Sequence, residues 1–160
     1  MIEQFSNIFD GLQAAYGTYK INGRDTKGKA TGKATVVKES RTTETWEAHL
    51  SGQQSIGIIP INEDNECKWG CIDIDEYNFD HQKLLKQLQN AKLPLVVCRS
   101  ESGGAHVFLF TTEFIPAKDM QETLKRLAVS LGYGSCEIFP KQIVLHLERG
   151  DVGNFLNTPY

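Results

Sequence analysis

The stretch Lys68-Trp69-Gly70-Cys71-Ile72-Asp73-Ile74-Asp75-Glu76 decides the fold that we predict for this chain. Residues i and i+2 of a β-strand point to the same face, so Asp73 and Asp75 project side by side. Ile72 and Ile74 then face a core on the other side. Two neighbouring carboxylates repel each other unless a cation lies between them. Because hard divalent ions such as Mg²⁺ or Mn²⁺ prefer oxygen ligands, the stretch predicts a strand that carries a metal site.

The residues that follow this strand indicate two helices and three further strands. The predicted elements are a strand over 68–75, a helix capped by Asp80, strands over 95–99 and 106–110, a helix from Pro116 to a cap at Gly132, and a strand over 136–139. The order β-α-β-β-α-β is the α+β, ferredoxin-like plan that RNA-recognition modules and polymerase palms share.

The ferredoxin-like plan brings distant residues together. Its strands lie in the spatial order 4-1-3-2, all antiparallel. Strand 1 ends at Asp75, strand 3 begins at His106 and strand 4 begins near Glu137. Because strands 3 and 4 run opposite to strand 1, we expect these ends to meet at one edge of the sheet. The carboxylates of Asp73, Asp75 and Glu137 would there be enough to hold two divalent ions.

The loop between strands 2 and 3 contains groups that bind phosphate. Its glycines let backbone N–H groups approach phosphate oxygens, and its arginine, serine and histidine side chains donate hydrogen bonds. A lysine beyond strand 4 adds a point charge. The predicted nucleotide-binding residues are Arg99, Ser102, Gly103, Gly104, His106 and Lys141.

Residues 1–55 are predicted to form an N-terminal module in one domain with the catalytic module, residues 56–160. Apolar spacing predicts a helix over residues 2–16. Asn22-Gly23 and the region from Gly28 to Gly32 are typical of turns. Short strands are expected over 35–37, 46–50 and 56–61.

Positive charge is concentrated in the N-terminal module. The segment from Thr18 to Arg41 carries seven cations against two anions, a net of +5, although the whole chain has a net charge of −3. A local basic segment in an acidic protein suits a phosphate-bearing ligand. We predict that Lys27, Lys29 and Lys33 contact template DNA. A solvated, lysine-rich hairpin is the alternative interpretation.

The sequence has no feature of secretion or of membrane insertion. Residues 1–17 lack the cationic start and apolar run of a signal peptide, and no apolar stretch approaches a membrane span. The four cysteines lack the close paired spacing of zinc modules, which indicates reduced thiols. We therefore expect a cytoplasmic protein.

Three motifs resemble those of the archaeo-eukaryotic primase superfamily, above all the phage, plasmid and TOTE-like primase-polymerase domains. They are Ile72-Asp73-Ile74-Asp75, Arg99-Ser100-Glu101-Ser102-Gly103-Gly104-Ala105-His106 and Glu137-Ile138-Phe139-Pro140-Lys141-Gln142. The segment 153–160 is similar to the one that follows in such domains, so the resemblance covers about residues 56–160. Two positions depart from the pattern. Many members have Ser where this chain has Gly104, and Asp where it has Glu137.

The resemblance implies that Asp73, Asp75 and Glu137 bind two catalytic Mg²⁺ or Mn²⁺ ions. It also implies that Ser102, His106, Arg99 and Lys141 bind the incoming triphosphate. The implied enzyme is a DNA primase or primase-polymerase, a template-dependent nucleotidyltransferase that adds nucleotides from dNTPs or NTPs. Its partners would be single-stranded or primed DNA and, in a longer protein, a helicase or additional domain, with no membrane involved. The implied setting is a bacterium, phage or plasmid.

Two other functions remain open at the level of the sequence. Phe108 and Phe110 share the face of His106 on strand 3, where RNA-recognition modules stack bases, so a non-catalytic nucleic-acid-binding module is one alternative. The two aspartates on strand 1 argue against this alternative, because they repel a phosphate backbone unless a metal is bound. Another metal-dependent nucleotide enzyme of the same fold, a cyclase or a nuclease, is the other alternative.

Overall fold

A computed structural model of the chain describes residues 2–24, 26 and 30–159. Within these residues the protein has four α-helices and two four-stranded antiparallel sheets. The elements are α1 (Ile2–Ile8), β1 (Tyr16–Arg24), β2 (Ala30–Val37), α2 (Thr43–Leu50), β3 (Ile56–Ile58), β4 (Glu66–Ile74), α3 (His81–Asn90), β5 (Leu95–Arg99), β6 (Ala105–Pro116), α4 (Ala117–Leu131), β7 (Glu137–Phe139), a 3₁₀ turn (Leu147–Arg149) and β8 (Leu156–Asn157).

The second sheet has the strand order β5-β6-β4-β7, and all its pairs are antiparallel. With β4 as the first strand of the predicted unit, this arrangement is the expected 4-1-3-2 order. The α+β, ferredoxin-like prediction is therefore confirmed.

The two helices of the ferredoxin-like unit begin and end where the sequence predicts. The Asp80 carboxylate accepts a hydrogen bond from the Lys83 backbone N–H at 2.9 Å, which caps α3. Gly132 ends α4 in the left-handed conformation, with φ of 88°. Both helices pack their buried leucines against the face of β4 that carries Ile72 and Ile74.

The opposite face of β4 packs against the first sheet rather than solvent. Trp69 and Cys71 of β4 belong to a buried cluster with Ile56 and Ile58 of β3 and Leu156 of β8. Asp73 follows them by strand alternation on the same face. Asp73, a candidate metal ligand, therefore lies at one end of the buried layer between the two sheets.

The first sheet has the strand order β2-β1-β3-β8. Its strands β3 and β8 come from residues 56–160, whereas β1 and β2 come from residues 1–55. The two predicted modules thus share this sheet, and β8 pairs with β3 through the partners Gly57–Asn157 and Ile58–Leu156.

Several predictions for the N-terminal half are wrong. The first helix ends at Ile8 instead of residue 16. Leu12 and Ala15 are buried although they lie outside a helix. Their spacing from the apolar residues of α1 happens to match a helical period, which explains the wrong prediction. Asn22-Gly23 lies within β1, at a point where its register with β2 shifts, and Gly32 lies within β2. Gly28 is outside the described residues.

The expected strand over 46–50 is also wrong, because these residues belong to α2. Thr42 caps this helix, and its side chain and that of Thr45 form a reciprocal capping box. The strand expected over 56–61 is limited to Ile56–Ile58. No helix among the described residues is long and apolar enough to cross a membrane.

Candidate functional site

Asp73 lies directly opposite two other predicted site residues in the second sheet. On one side its Cα partner is His106 of β6, and on the other side it is Glu137 of β7. The strand order therefore brings one residue from each of the three sequence motifs into a single row. The Asp73 Oδ1 to His106 Nε2 distance is 3.5 Å.

His106 is a neutral group in this site. Its residue is buried, and burial lowers the pKa of the imidazole to about 4, because a low-polarity environment disfavours the charged ring. At neutral pH its contact with Asp73 is therefore that of an imidazole beside a carboxylate, not an ion pair. A neutral ring can donate one N–H to a carboxylate or phosphate oxygen.

Asp73 and Asp75 open into a cavity of about 330 Å³ between the two sheets. Asp73 is half-buried within β4, and Asp75 is exposed one residue beyond the end of that strand. The second sheet also contributes His106 to the cavity wall. The first sheet contributes Tyr19 of β1, Leu156 and Asn157 of β8, and Phe155, which directly precedes β8.

Glu137 is engaged by a cation from its own segment. Its Oε2 lies 2.7 Å from the Nζ of Lys141, and its side chain is 62% exposed. The same Nζ lies 5.0 Å from the centre of the Phe139 ring. Lys141, predicted to bind phosphate, thus neutralises the predicted third metal ligand.

The carboxylates fit a divalent cation in part. Asp73 and Asp75 offer hard oxygen donors to one cavity, which is the chemistry that Mg²⁺ and Mn²⁺ need. Among residues 2–24, 26 and 30–159, no group of three or more His, Cys, Asp or Glu side chains is gathered closely enough to hold a metal ion. A cation on the two aspartates would therefore take further ligands from water or from phosphate.

The loop after β5 is a tight turn held by its own backbone. The N–H of Ser100 donates to the carbonyl of Gly104, and the N–H of Gly103 donates to the carbonyl of Ser100, both at 3.0 Å. Gly103 has φ of 94°, a conformation that favours glycine. The turn uses the Gly103 N–H itself, so this amide is not directed to a ligand as the sequence interpretation assumed.

Gly104 is required by close packing. A side chain here would overlap the Ile74 carbonyl at the end of β4, so the missing Cβ lets the loop lie against the aspartate strand. The ring Nε2 of His81, at the start of α3, lies 2.9 Å from the Gly104 carbonyl and holds the loop from the other side. The loop is therefore fixed close to Asp75.

Two serine hydroxyls of this loop lie at the cavity. Ser102 Oγ and Ser100 Oγ are 3.0 Å apart, and both residues line the cavity. Ser100 is buried, whereas Ser102 is half-buried. Ser100 thus offers the cavity a second hydroxyl group beside that of the predicted Ser102.

Arg99 lies outside the first cavity. It ends β5, is exposed and lines an adjoining cavity of about 470 Å³. The two cavities adjoin, because Ser100, Glu101, His106 and Asn157 line both of them, and Arg99 lines only the second.

The basic candidates lie on the first sheet. Lys33 of β2 is exposed and pairs in register with Lys20 of β1, which is also exposed. Lys27 and Lys29 lie outside the described residues. The described part of the hairpin thus presents two lysines side by side.

Seven residues of the cavity wall are not among the predicted site residues: Tyr19, Ser100, Glu101, Phe139, Phe155, Leu156 and Asn157. Ser100, Phe155 and Asn157 lie in segments that resemble the primase family in sequence, but no residue pattern marks any of the three as a site residue. Tyr19 gives no sequence signal, because its place depends on how the two sheets pack.

A comparison with known protein families gives a match over almost the whole chain. A family model described as "TOTE conflict system, Archaeo-Eukaryotic Primase domain" matches residues 2–160. The chain belongs to this family. The family resemblance expected over residues 56–160 is thereby confirmed, and it extends through the N-terminal half of this archaeo-eukaryotic primase domain. Membership indicates a nucleotidyltransferase-type enzyme of the primase superfamily. No curated protein matches the chain.

Proposed function

We propose that this domain is a template-dependent nucleotidyltransferase that adds nucleotides from a dNTP or NTP to a primer on DNA. The observation that carries the proposal is the row Glu137–Asp73–His106 across three strands. The residues of this row come from the acidic motif, the end of the serine-glycine loop and the third motif, and Asp73 and His106 line one cavity.

The two aspartates are the proposed metal ligands, with Glu137 as a third ligand once its carboxylate is released from Lys141. When bound, Mg²⁺ or Mn²⁺ activates the attacking hydroxyl and stabilises the leaving pyrophosphate. In the reaction, the 3′ oxygen of the primer bonds to the α-phosphorus, the bond to the β-phosphate breaks, and the hydroxyl proton is released to solvent. Asp73 and Asp75 would hold the cation beside the cavity, where its remaining ligands would come from water or from phosphate.

The loop residues are proposed to hold the triphosphate. The neutral His106 ring and the hydroxyls of Ser100 and Ser102 line the same cavity as the aspartates, so they offer hydrogen-bond donors without adding charge. Arg99 in the adjoining cavity and Lys141 beside Glu137 are the proposed cations for phosphate oxygens.

The hairpin of β1 and β2 is the proposed contact for template DNA. Lys20 and Lys33 lie side by side on it, and Lys27 and Lys29 belong to the segment that joins the two strands. Clustered lysines bind a phosphate backbone without reading its sequence.

A base-stacking module is less well supported. Phe108 is 1% exposed, and Phe9 packs edge-on against both Phe108 and Phe110, with ring centres 5.4 and 5.6 Å away. The face that stacks bases in RNA-recognition modules is therefore covered here by the N-terminal segment.

Incubation of the domain with a primed DNA template, labelled dNTPs and Mn²⁺ tests the proposal. We expect primer extension by the natural sequence. A cyclic product or cleaved DNA would instead support the cyclase or nuclease alternative, and binding without turnover would support a non-catalytic module. Each of these three results would contradict the proposed function.

A further inference from the structure

The ring of Phe155 lies in a hollow formed by two glycines. Gly17 of β1 and Gly57 of β3 are direct partners across the first sheet. A Cβ at either position would overlap the Phe155 ring, so the aromatic side chain rests on bare backbone. The position of the ring is therefore set by two neighbouring strands, before any ligand binds.

The same residue borders the candidate site. Phe155 is only partly buried, and it lines the 330 Å³ cavity together with Asp73 and Asp75. Tyr19 of β1 lines this cavity as well. The cavity thus has an acidic wall on the second sheet and an aromatic wall on the first.

Asn157 adds a polar group to the aromatic wall. It lines both adjoining cavities, yet its side-chain oxygen is buried and accepts no hydrogen bond from the described residues. A buried amide oxygen without a partner is unfavourable, and such groups in native proteins are generally satisfied by something. The Asn157 residue itself is partly exposed, so rotation of its amide toward the cavity would let a ligand supply that partner.

We infer that Phe155, Tyr19 and Asn157 form the subsite for the nucleoside part of the incoming nucleotide. This inference rests on the proposed function, in which the acidic wall takes the cation-bound triphosphate. The uncharged, flat part of the same ligand then meets the aromatic wall. Phe155 supplies a stacking surface, which accepts any base because every base has a π-face. Asn157 supplies hydrogen bonds to a base or sugar group.

Binding measurements on two ligands separate this subsite from the phosphate site. Calorimetric titration with a non-hydrolysable dNTP reports both parts of the ligand, and inorganic tripolyphosphate reports the phosphates alone, each with Mn²⁺ present. We expect Phe155→Leu to weaken dNTP binding about tenfold, as loss of one base stack does, and to leave tripolyphosphate binding unchanged. Phe155→Tyr, which keeps the ring, should bind the dNTP as the natural protein does.

Asn157→Ala provides a second variant, and thermal melts establish that each variant is folded. Phe114→Leu is the matched control, because Phe114 lies near the other end of β6 against Lys68. Unchanged dNTP affinity in both Phe155→Leu and Asn157→Ala would overturn the subsite while the proposed function stands. Equal losses for dNTP and tripolyphosphate would also overturn it. A natural protein that binds no dNTP would remove the proposed function itself and the subsite with it.

Discussion

Asp73 is the carboxylate on which the proposed activity depends most, because it alone lies opposite both other motifs in the sheet. We expect Asp73→Asn to reduce nucleotide incorporation by about a hundredfold or more, as loss of a charge-stabilising contact in a transition state does. Stability should change by no more than about 1 kcal/mol, since the side chain is 24% exposed and the amide has nearly the same shape.

The measurements are primer-extension rate and thermal denaturation. Asp64→Asn is the control, because Asp64 is exposed and precedes β4 at the end remote from the site. Retention of the natural rate by Asp73→Asn would exclude a catalytic role for this carboxylate.

The buried thiols give a prediction that depends on pH. Burial raises the pKa of Cys67 to about 12 and that of Cys71 well above its usual range. Only the thiolate reacts with iodoacetamide, and a raised pKa lowers the thiolate fraction at any given pH. At pH 8 we expect both thiols to stay unmodified in the folded protein and to react only after denaturation.

Mass spectrometry after brief labelling measures this difference residue by residue. Cys136 is the internal comparison, because it is only partly buried. Labelling of Cys67 as fast as Cys136 in folded protein would contradict the buried position of β4.

The short segment from β7 to Lys141 carries both the proposed third metal ligand, Glu137, and a proposed phosphate ligand, Lys141. While Lys141 holds Glu137, this carboxylate is balanced by a cation. Replacement of the lysine by methionine removes that cation. We expect Lys141→Met to strengthen Mn²⁺ binding to the nucleotide-free protein by roughly two- to fivefold, the range of a partly exposed ion pair, and to weaken triphosphate binding.

Electron paramagnetic resonance of free Mn²⁺ and calorimetry with tripolyphosphate measure these two opposite effects. Lys118→Met is a suitable control, because Lys118 pairs with Glu122 on α4. Weaker Mn²⁺ binding in Lys141→Met would show that the lysine does not compete for Glu137.

The elements also differ in how well the sequence predicts them. The ferredoxin-like unit is predictable because each helix has a cap, such as Asp80 or Gly132, and because isoleucine and aspartate alternate at the end of β4. A hairpin of β1 and β2 is one of the two interpretations that the sequence allows, but its strand bounds are not predictable, because residues 31–36 are all exposed and show no alternation.

The same contrast applies to the site. The row through Asp73 follows from strand order alone, so three motifs are enough to predict it. The opposite wall depends on β8, a two-residue strand that pairs with β3 far away in the chain. Phe155 and Asn157 therefore have no local pattern that marks them as site residues.

For the molecule as a whole, we expect an acidic chain to bind DNA through the basic segment from Thr18 to Arg41. The net charge is −3, whereas residues 18–41 carry a net of +5. We expect joint replacement of Lys27, Lys29 and Lys33 by alanine to reduce the slope of log K against log salt by about two to three, because each lost phosphate contact removes roughly 0.7–0.9.

Fluorescence anisotropy with labelled DNA over a series of salt concentrations measures this slope. The control replaces three lysines elsewhere on the surface, Lys83, Lys86 and Lys125, by alanine and alters the net charge equally. An equal reduction of the slope in both triple variants would mean that DNA responds to overall charge and not to the hairpin.

The late position of β8 has a consequence for how the enzyme is made. A nascent chain released from the ribosome as far as β7 already contains every strand of the second sheet, including the aspartates and His106. Phe155 of the aromatic wall is synthesised only just before β8. The buried His49 likewise lacks its partner until Thr158 is made, because its Nε2 lies 2.9 Å from the Thr158 hydroxyl. Translation therefore supplies the residues of the acidic wall before Phe155 and Asn157 of the proposed nucleoside subsite.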